Sequence, residues 1–467
     1  MDSNITEHFE LPKTVYLPPE TEVDEDLIKA LVKMKEKDAE RYTVLQAYYE
    51  GKSKITERQK DSHKANNKLA LDYPSYIVDV LLGMFVGKPI AYTVAEENKE
   101  IMAAVQDVFD LNDEQDENTE LAKMCGIKGR GYEIVYLDEE GSVRFNEVEP
   151  ENVVMVYDNR IKPEPLFCLY IRDYVTVDNL EADKKDKTVT LYTKDAVKEY
   201  LMAGGNLSLL EESANHFGEI PVVEFLNNDE GIGDFERTLS LIDALNLAQS
   251  DTANDFQEFT DALLVLFGMP QTDSDDVNQM MEDRVLLLDK SGDSGQGAQW
   301  LIKEINDTAL ENYKNRLDAD IHKFAKVPNM SDENFAGNVS GESMKYKLFA
   351  TDQIISQKQR KFKTALQKRL KLILAILNIK GSADFDYRDI SLVFNDNKPY
   401  NELDNINTVK SALDAGLSKT YAYSKLRDMD DIQEELERQA QEVDAYAESF
   451  KRELDDGQEV PEDSEVV

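Results

Sequence analysis

The chain has 467 residues, with 94 Asp plus Glu against 53 Lys plus Arg and a formal net charge of −41. That length supports several domains and a large core, while the charge repels nucleic acid and anionic membrane at long range, which excludes a simple duplex-gripping module. Two cysteines, Cys125 and Cys168, offer no disulfide framework, and the most apolar run, Ile77–Val86, is too short to span a bilayer and contains Asp79. A soluble protein of a reducing compartment is expected.

Residues 1–22, with Pro12, Pro18 and Pro19, read as an extended arm. Asp24 can cap a helix whose apolar positions Leu27, Leu31, Met34, Leu45 and Tyr49 run to Gly51. A basic, polar stretch fills 52–70, a buried helix follows from Leu71 to Val86, and two shorter helices fall near 98–110 and 113–127. From Gly131 the period changes to two, and strands are predicted at Tyr132–Leu137, Val143–Val148, Val153–Tyr157, Leu166–Arg172, Thr188–Tyr192 and Val197–Leu201. Residues 221–225 close this antiparallel region, and NNDEGIG at 227–233 leads out of it.

Asp234 to Phe267 reads as one helix with seven acids and a single base, ended by Gly268 and Pro270. Residues 271–304 form a small subdomain with an acidic helix and strands at Val285–Leu288 and Gln299–Ile302, the second holding the only tryptophan, Trp300. A second helix, opened by the capping-box pair Thr308 and Glu311, continues to about Lys326. Pro328 stops it, and the polar loop PNMSDENFAGNVSG precedes a long helix over 341–379. From Gly341 to Lys380 there are ten Lys or Arg against Glu342 and Asp352, a basic island in an acidic chain. A strand at Ile390–Phe394 and helices near 402–415, 419–428 and 431–450 complete the chain, whose last 37 residues hold fourteen acids and an end expected to be disordered.

Chemistry-bearing motifs are missing. GMFVGKP at 83–89 is a residue short of a phosphate loop, GIKGRG at 126–131 reads as turn glycines before a strand, and the four histidines are scattered without HExxH or CxxC. No cofactor, metal site or catalytic residue is assigned. The class is α+β, mainly α.

Three stretches, LDYPSYIVDVLLGMFVGKPIAY (71–92), GDFERTLSLIDALNLAQSDTANDFQEFTDALLVLFG (233–268) and NVSGESMKYKLFATDQIISQKQRKFKTALQKRLKLI (338–373), resemble in this order the portal (connector) proteins of tailed bacteriophages of Gram-positive hosts. The resemblance spans roughly residues 25–450. It implies a homo-oligomeric ring, normally of twelve, at one capsid vertex of the virion, assembled in the host cytoplasm, through which double-stranded DNA enters and leaves. After the 1–22 arm it implies a wing over 23–233, stem helices at 234–267 and 307–327, a clip at 268–306, a tunnel loop at 328–340, a long basic helix and wing strand at 341–399, crown helices at 400–450 and an acidic tail at 451–467. Its partners would be terminase, whose large subunit brings the ATPase, a head-completion adaptor, the major capsid protein and scaffolding protein, with no membrane.

On that reading the candidate DNA contacts are Asn329, Met330, Ser331, Asn334, Phe335, Asn338, Val339, Lys345 and Lys347. The candidate channel-lining acids are Asp251, Asp255, Glu258 and Asp261, which would let a polyanion slide without gripping it. Arg284 and Trp300 are the candidate clip contacts. The basic run 358–371 is expected to pair chiefly with acids of the neighbouring subunit. An acidic cytoplasmic enzyme and a non-viral oligomeric scaffold are the alternatives, the first without an organised motif and the second without sustained heptads.

Overall fold

The computed structural model describes residues 14–60, 64–95, 98–177, 185–259, 263–267, 285–288, 297–301, 307–330, 341–381, 384–395, 397 and 402–423, with 425, 436, 438 and 439 beyond them. It divides into two compact units, the first comprising residues 1–330 and 348–397 and the second 331–347 and 398–467.

In the first unit, α1 (Glu25–Tyr49) opens at Asp24, whose carboxylate accepts the Leu27 N–H at 2.8 Å. Helices α2 (Tyr73–Val86), α3 (Lys99–Leu111) and α4 (Glu114–Lys128) follow, as the apolar spacing predicts. The strands then build two stacked sheets. Six of them, β1 (Val15–Leu17), β5 (Val153–Asp158), β6 (Pro165–Asp173), β7 (Lys187–Tyr192), β8 (Ala196–Ala203) and β9 (Asn206–Ala214), lie side by side in that order, antiparallel except for the β1–β5 edge. Strands β3 (Arg130–Leu137), β4 (Val143–Val148) and β10 (Val222–Leu226) form a second sheet with β3 in the middle.

Alternation along the strands explains the layering. Val154, Val156, Phe167, Leu169 and Ile171 point to one face and pack on Ile28, Leu31 and Val32 of α1. Val153, Met155 and Cys168, one position out of step, pack instead on Tyr132, Ile134 and Val222 of the smaller sheet. The larger sheet is therefore buried on both sides where these strands run. Both thiols are buried and unpaired, and burial pushes that of Cys125 up to about 12.

Strand β9 is not predicted by its sequence. It is an edge strand on which Leu207 alone is buried while Leu209 and Leu210 are more than half exposed, so no period-two contrast marks it. The glycines of GIKGRG and NNDEGIG have a common explanation. Gly129 ends α4 at φ +85°, and a Cβ there would stand 2.1 Å from the Gly231 carbonyl oxygen, so the two turns meet backbone to backbone.

The predicted helix over 234–267 is corrected by the structure. After a short turn at Glu236–Thr238, α5 covers Leu239–Phe259, and Leu263–Phe267 is a strand, β11. It lies at the centre of a three-stranded sheet, parallel to β12 (Val285–Leu288) and antiparallel to β13 (Gly297–Leu301). A short unbroken apolar run such as LLVLF does not by itself distinguish helix from central strand. Helix α6 (Asp307–Ala325) then packs against α5. A 41-residue helix, α7 (Gly341–Gly381), and β14 (Ser391–Val393), paired with β2 (Ala91–Thr93), end this part of the chain.

The second unit contains α8 (Glu402–Asp414) and α9 (Lys419–Tyr423). Gly416, at φ +79°, closes α8 with the Leu417 N–H bonded to the Ala412 carbonyl. The acidic helix within 271–284 and most of the third C-terminal helix lie outside the described residues, as does the acidic tail.

Candidate functional site

The polar face of α5 is occupied by the chain's own strap, residues 58–60 and 64–71. Asn246, Ser250 and Asn254 stand four residues apart on the helix, about 6 Å per step at 1.5 Å per residue. The extended strap presents a backbone N–H on the same side every second residue, about 6.6 Å apart. The two spacings nearly match, and three bonds form in antiparallel sense. Leu71 N–H donates to Asn246 Oδ1 at 2.8 Å, Leu69 N–H to Ser250 Oγ at 2.9 Å and Asn67 N–H to Asn254 Oδ1 at 2.7 Å. Arg58 locks the lower end, donating to Asp251 at 2.8 Å and to the Asn67 carbonyl at 2.7 Å.

Of the four candidate channel acids, Asp251 is therefore neutralised by Arg58 and by Lys60, at 2.8 and 3.3 Å. Asp255 is half-buried and lies one turn further on, and the side chains of Glu258 and Asp261 lie outside the described residues. The acids nearer the helix start are internal. Asp243 accepts the Tyr48 hydroxyl at 2.8 Å, and Asp234 is buried in an ion pair with Lys358.

The root of the predicted tunnel loop is tied down. Lys326 takes φ +57° as α6 ends, and the Val327 N–H returns to the His322 carbonyl at 3.1 Å. The Tyr76 hydroxyl accepts the Met330 N–H and donates to the Pro328 carbonyl, both at 2.9 Å. His322 stands edge-on to Tyr73 and Tyr76, with Nδ1 3.2 Å from the Val327 carbonyl oxygen. So of the predicted DNA contacts, Asn329 and the half-exposed Met330 leave a fixed base. Ser331, Asn334, Phe335, Asn338 and Val339 lie outside the described residues, as does the side chain of Lys345, while Lys347 is exposed on α7. Arg284 is also outside them, and Trp300 is placed by its backbone on β13, opposite Leu264.

Most of the basic run of α7 is engaged within the chain, where pairing with acids of a neighbouring subunit is expected from the sequence. Lys358 pairs with Asp234, Lys361 with Asp229 and Lys371 with Glu219, while Lys368 donates to the Val222 carbonyl at 2.8 Å. Arg369 is fully buried. It meets Glu133 at 2.6 Å, Glu114 at 3.2 Å and Asn118 at 2.7 Å, between the rings of Phe145 and Phe225. Burial pushes the Glu133 carboxyl up, and the guanidinium partly offsets it. The sequence shows the ten bases but not their partners, which come from α4, β3 and the turns around β10.

Among the described residues no three His, Cys, Asp or Glu side chains converge as metal ligands, and no helix is long and apolar enough to cross a membrane. What the arrangement offers is mechanical. A strapped helix and its partner α6 flank a small sheet in the chain order, and residues 327–330 after α6 are anchored to α2 and α6.

The sequence matches the model of the family described as phage portal protein, SPP1 Gp6-like, over residues 28–449. The chain belongs to this family. It is also 24% identical over 412 residues to the portal protein of Bacillus phage SPP1, covering 85% of this chain and 80% of that one. Among solved structures, it resembles chains described as the neck of an empty gene transfer agent (GTA) particle and as the virion of a native GTA particle. The TM-scores are 0.44 and 0.42 and the identities 12% and 10%, each over 75% of this chain and 88% of the other. Phage portal proteins are homo-oligomeric rings of the phage particle that contact the capsid, and this portal protein is such a virion component.

Proposed function

We propose that twelve copies of the chain close into a ring at one capsid vertex, and that double-stranded DNA enters through its centre during packaging and leaves by it at ejection. Helices α5 and α6 form the stem, and the β11–β13 sheet between them forms the clip, on which terminase and later the head-completion adaptor dock. The wing faces the major capsid protein and, during assembly in the host cytoplasm, the scaffolding protein. The ring hydrolyses nothing; the terminase ATPase supplies the work.

The observation that supports this best is the excursion α5–sheet–α6, two packed helices leading out to and back from a small sheet, within a family match of residues 28–449. Neutralisation of the basic helix from within agrees with it. With those charges occupied, the chain's excess of acids leaves a passing polyanion little to hold. The polar loop at 331–340 makes brief, sequence-blind contacts with phosphates.

Electron microscopy of the purified chain should show rings. Deleting Ser331–Asn338, which spares the anchored Asn329 and Met330, should leave those rings intact and lower the amount of DNA packaged by terminase-driven capsids. Normal packaging by the deleted ring would remove the loop from the mechanism.

A further inference from the structure

We propose that the groove between α3, α4 and β2 is one half of the joint between neighbouring copies, and that Lys64–Leu69 of the next copy's strap fills it. This rests on the ring reading above. The groove has a volume of about 630 Å3, an apolar floor of Ile90, Tyr92, Met102 and Phe109, and a rim of Asp110, Asp113 and Asp116. Residues 99–128 hold eight acids against three bases. All three rim aspartates are exposed.

Asp113 is the most unusual of them. It sits at the N-cap of α4, where an aspartate ordinarily accepts an N–H of the first turn and adds about 1 kcal/mol. Here its backbone is left-handed, at φ +48°, and its carboxylate makes no cap bond. The carboxylate is held at the rim of the groove instead, at some cost in backbone strain.

The strap is the complement. Residues 52–68 hold six bases against two acids, the reverse of the chain as a whole. Lys64 and Lys68 are exposed, the latter with its ammonium donating to the Thr56 carbonyl at 2.8 Å, and Leu69, next to Lys68, is an apolar side chain 40% exposed. Such a segment suits an apolar floor behind an acidic rim, which would repel both DNA phosphates and most of this chain's own surface. The ladder on α5 holds the segment extended before it meets a partner, which lowers the ordering cost of association. Groove and strap are different surfaces on different elements, so the contact is head-to-tail, the kind that closes rings rather than two-fold dimers.

The test is charge reversal followed by exchange. Either K64E/K68E on the strap or D110K/D113K on the groove should lower the ring fraction in electron micrographs roughly tenfold or more at equal concentration, since like charges face each other across the joint. Combining all four substitutions should restore it. Circular dichroism of each variant checks that the subunit is folded. Intact rings in both reversals, or folded variants whose combination stays unassembled, would overturn the joint. Rings that persist in K64E/K68E while their DNA retention falls would likewise overturn it and assign the strap to DNA. An unsubstituted chain that forms no rings would sink the ring reading itself, and the joint with it.

Discussion

Glu117 shows how one residue ties this portal protein's stability to pH. Its Oε2 accepts the Glu147 N–H at 3.1 Å, so the two carboxyls are held close together, and α4 half-buries the first. Burial first, and Glu147 second, push the Glu117 carboxyl up to about 8. The folded chain thus keeps this proton to about pH 8, whereas the unfolded chain releases it near 4.5. Between those values the folded state binds more protons, so stability falls as pH rises. Glu117→Gln should flatten this slope and raise the urea midpoint at pH 8 while changing little at pH 4.5. An unchanged midpoint at pH 8 would show that the pair is relaxed by solvent. Arg369 illustrates the opposite case, a fully buried cation with its carboxylates in place, where loss of one partner typically costs about 3–5 kcal/mol.

At the level of elements, the strap and α5 form a unit held by polar bonds with matched spacing. Each side-chain acceptor on the helix serves a part-buried backbone donor, and such a bond contributes about 0.5–1.5 kcal/mol net. Asn254→Leu should therefore destabilise the chain by about that amount and speed tryptic cleavage at Lys60, Lys64 and Lys68. Denaturant titration and timed digestion measure the two effects. Unaltered cleavage would mean that the strap is held mainly at Arg58. The same helix shows what an element's sequence leaves open. Its stripe of Leu239, Ile242 and Leu245, continued by Phe235 just before the helix, is legible as a buried face, and all four are at most 4% exposed. The use of Asn246, Ser250 and Asn254 is not legible, because spacing by four marks a helix face without saying what lies on it.

For the whole molecule, charge sets the terms of assembly. Each copy brings a formal −41, so ring closure gathers like charge that counterions must screen. The ring fraction should rise as salt is raised from about 10 mM, where the Debye length is near 30 Å, to about 150 mM, where it is near 8 Å. At salt approaching 1 M the strap–groove joint should weaken as its own attraction is screened. Native mass spectrometry or sedimentation across this range would read the rise and fall, and a ring fraction indifferent to salt would contradict the account. The basic helix belongs to this scale as well. Its bases are conspicuous in the sequence because the chain is so acidic, yet most of those described are consumed within the subunit.

By itself the sequence determined most of the succession of elements, the family and the lack of catalytic motifs. Hydrophobic period, caps and turn residues act between positions close in the chain, and they place α1 to α4 and six of the strands of the two stacked sheets within a residue or two. The tertiary structure decided which charges remain available. Asp251 and Arg58 are 193 residues apart and Arg369 and Glu133 are 236 apart. It also decided that Leu263–Phe267 is a central strand and Asn206–Ala214 an edge. Pairing partners and burial arise from contacts that no local pattern encodes, so an acid read as channel lining can prove to be the anchor of a strap.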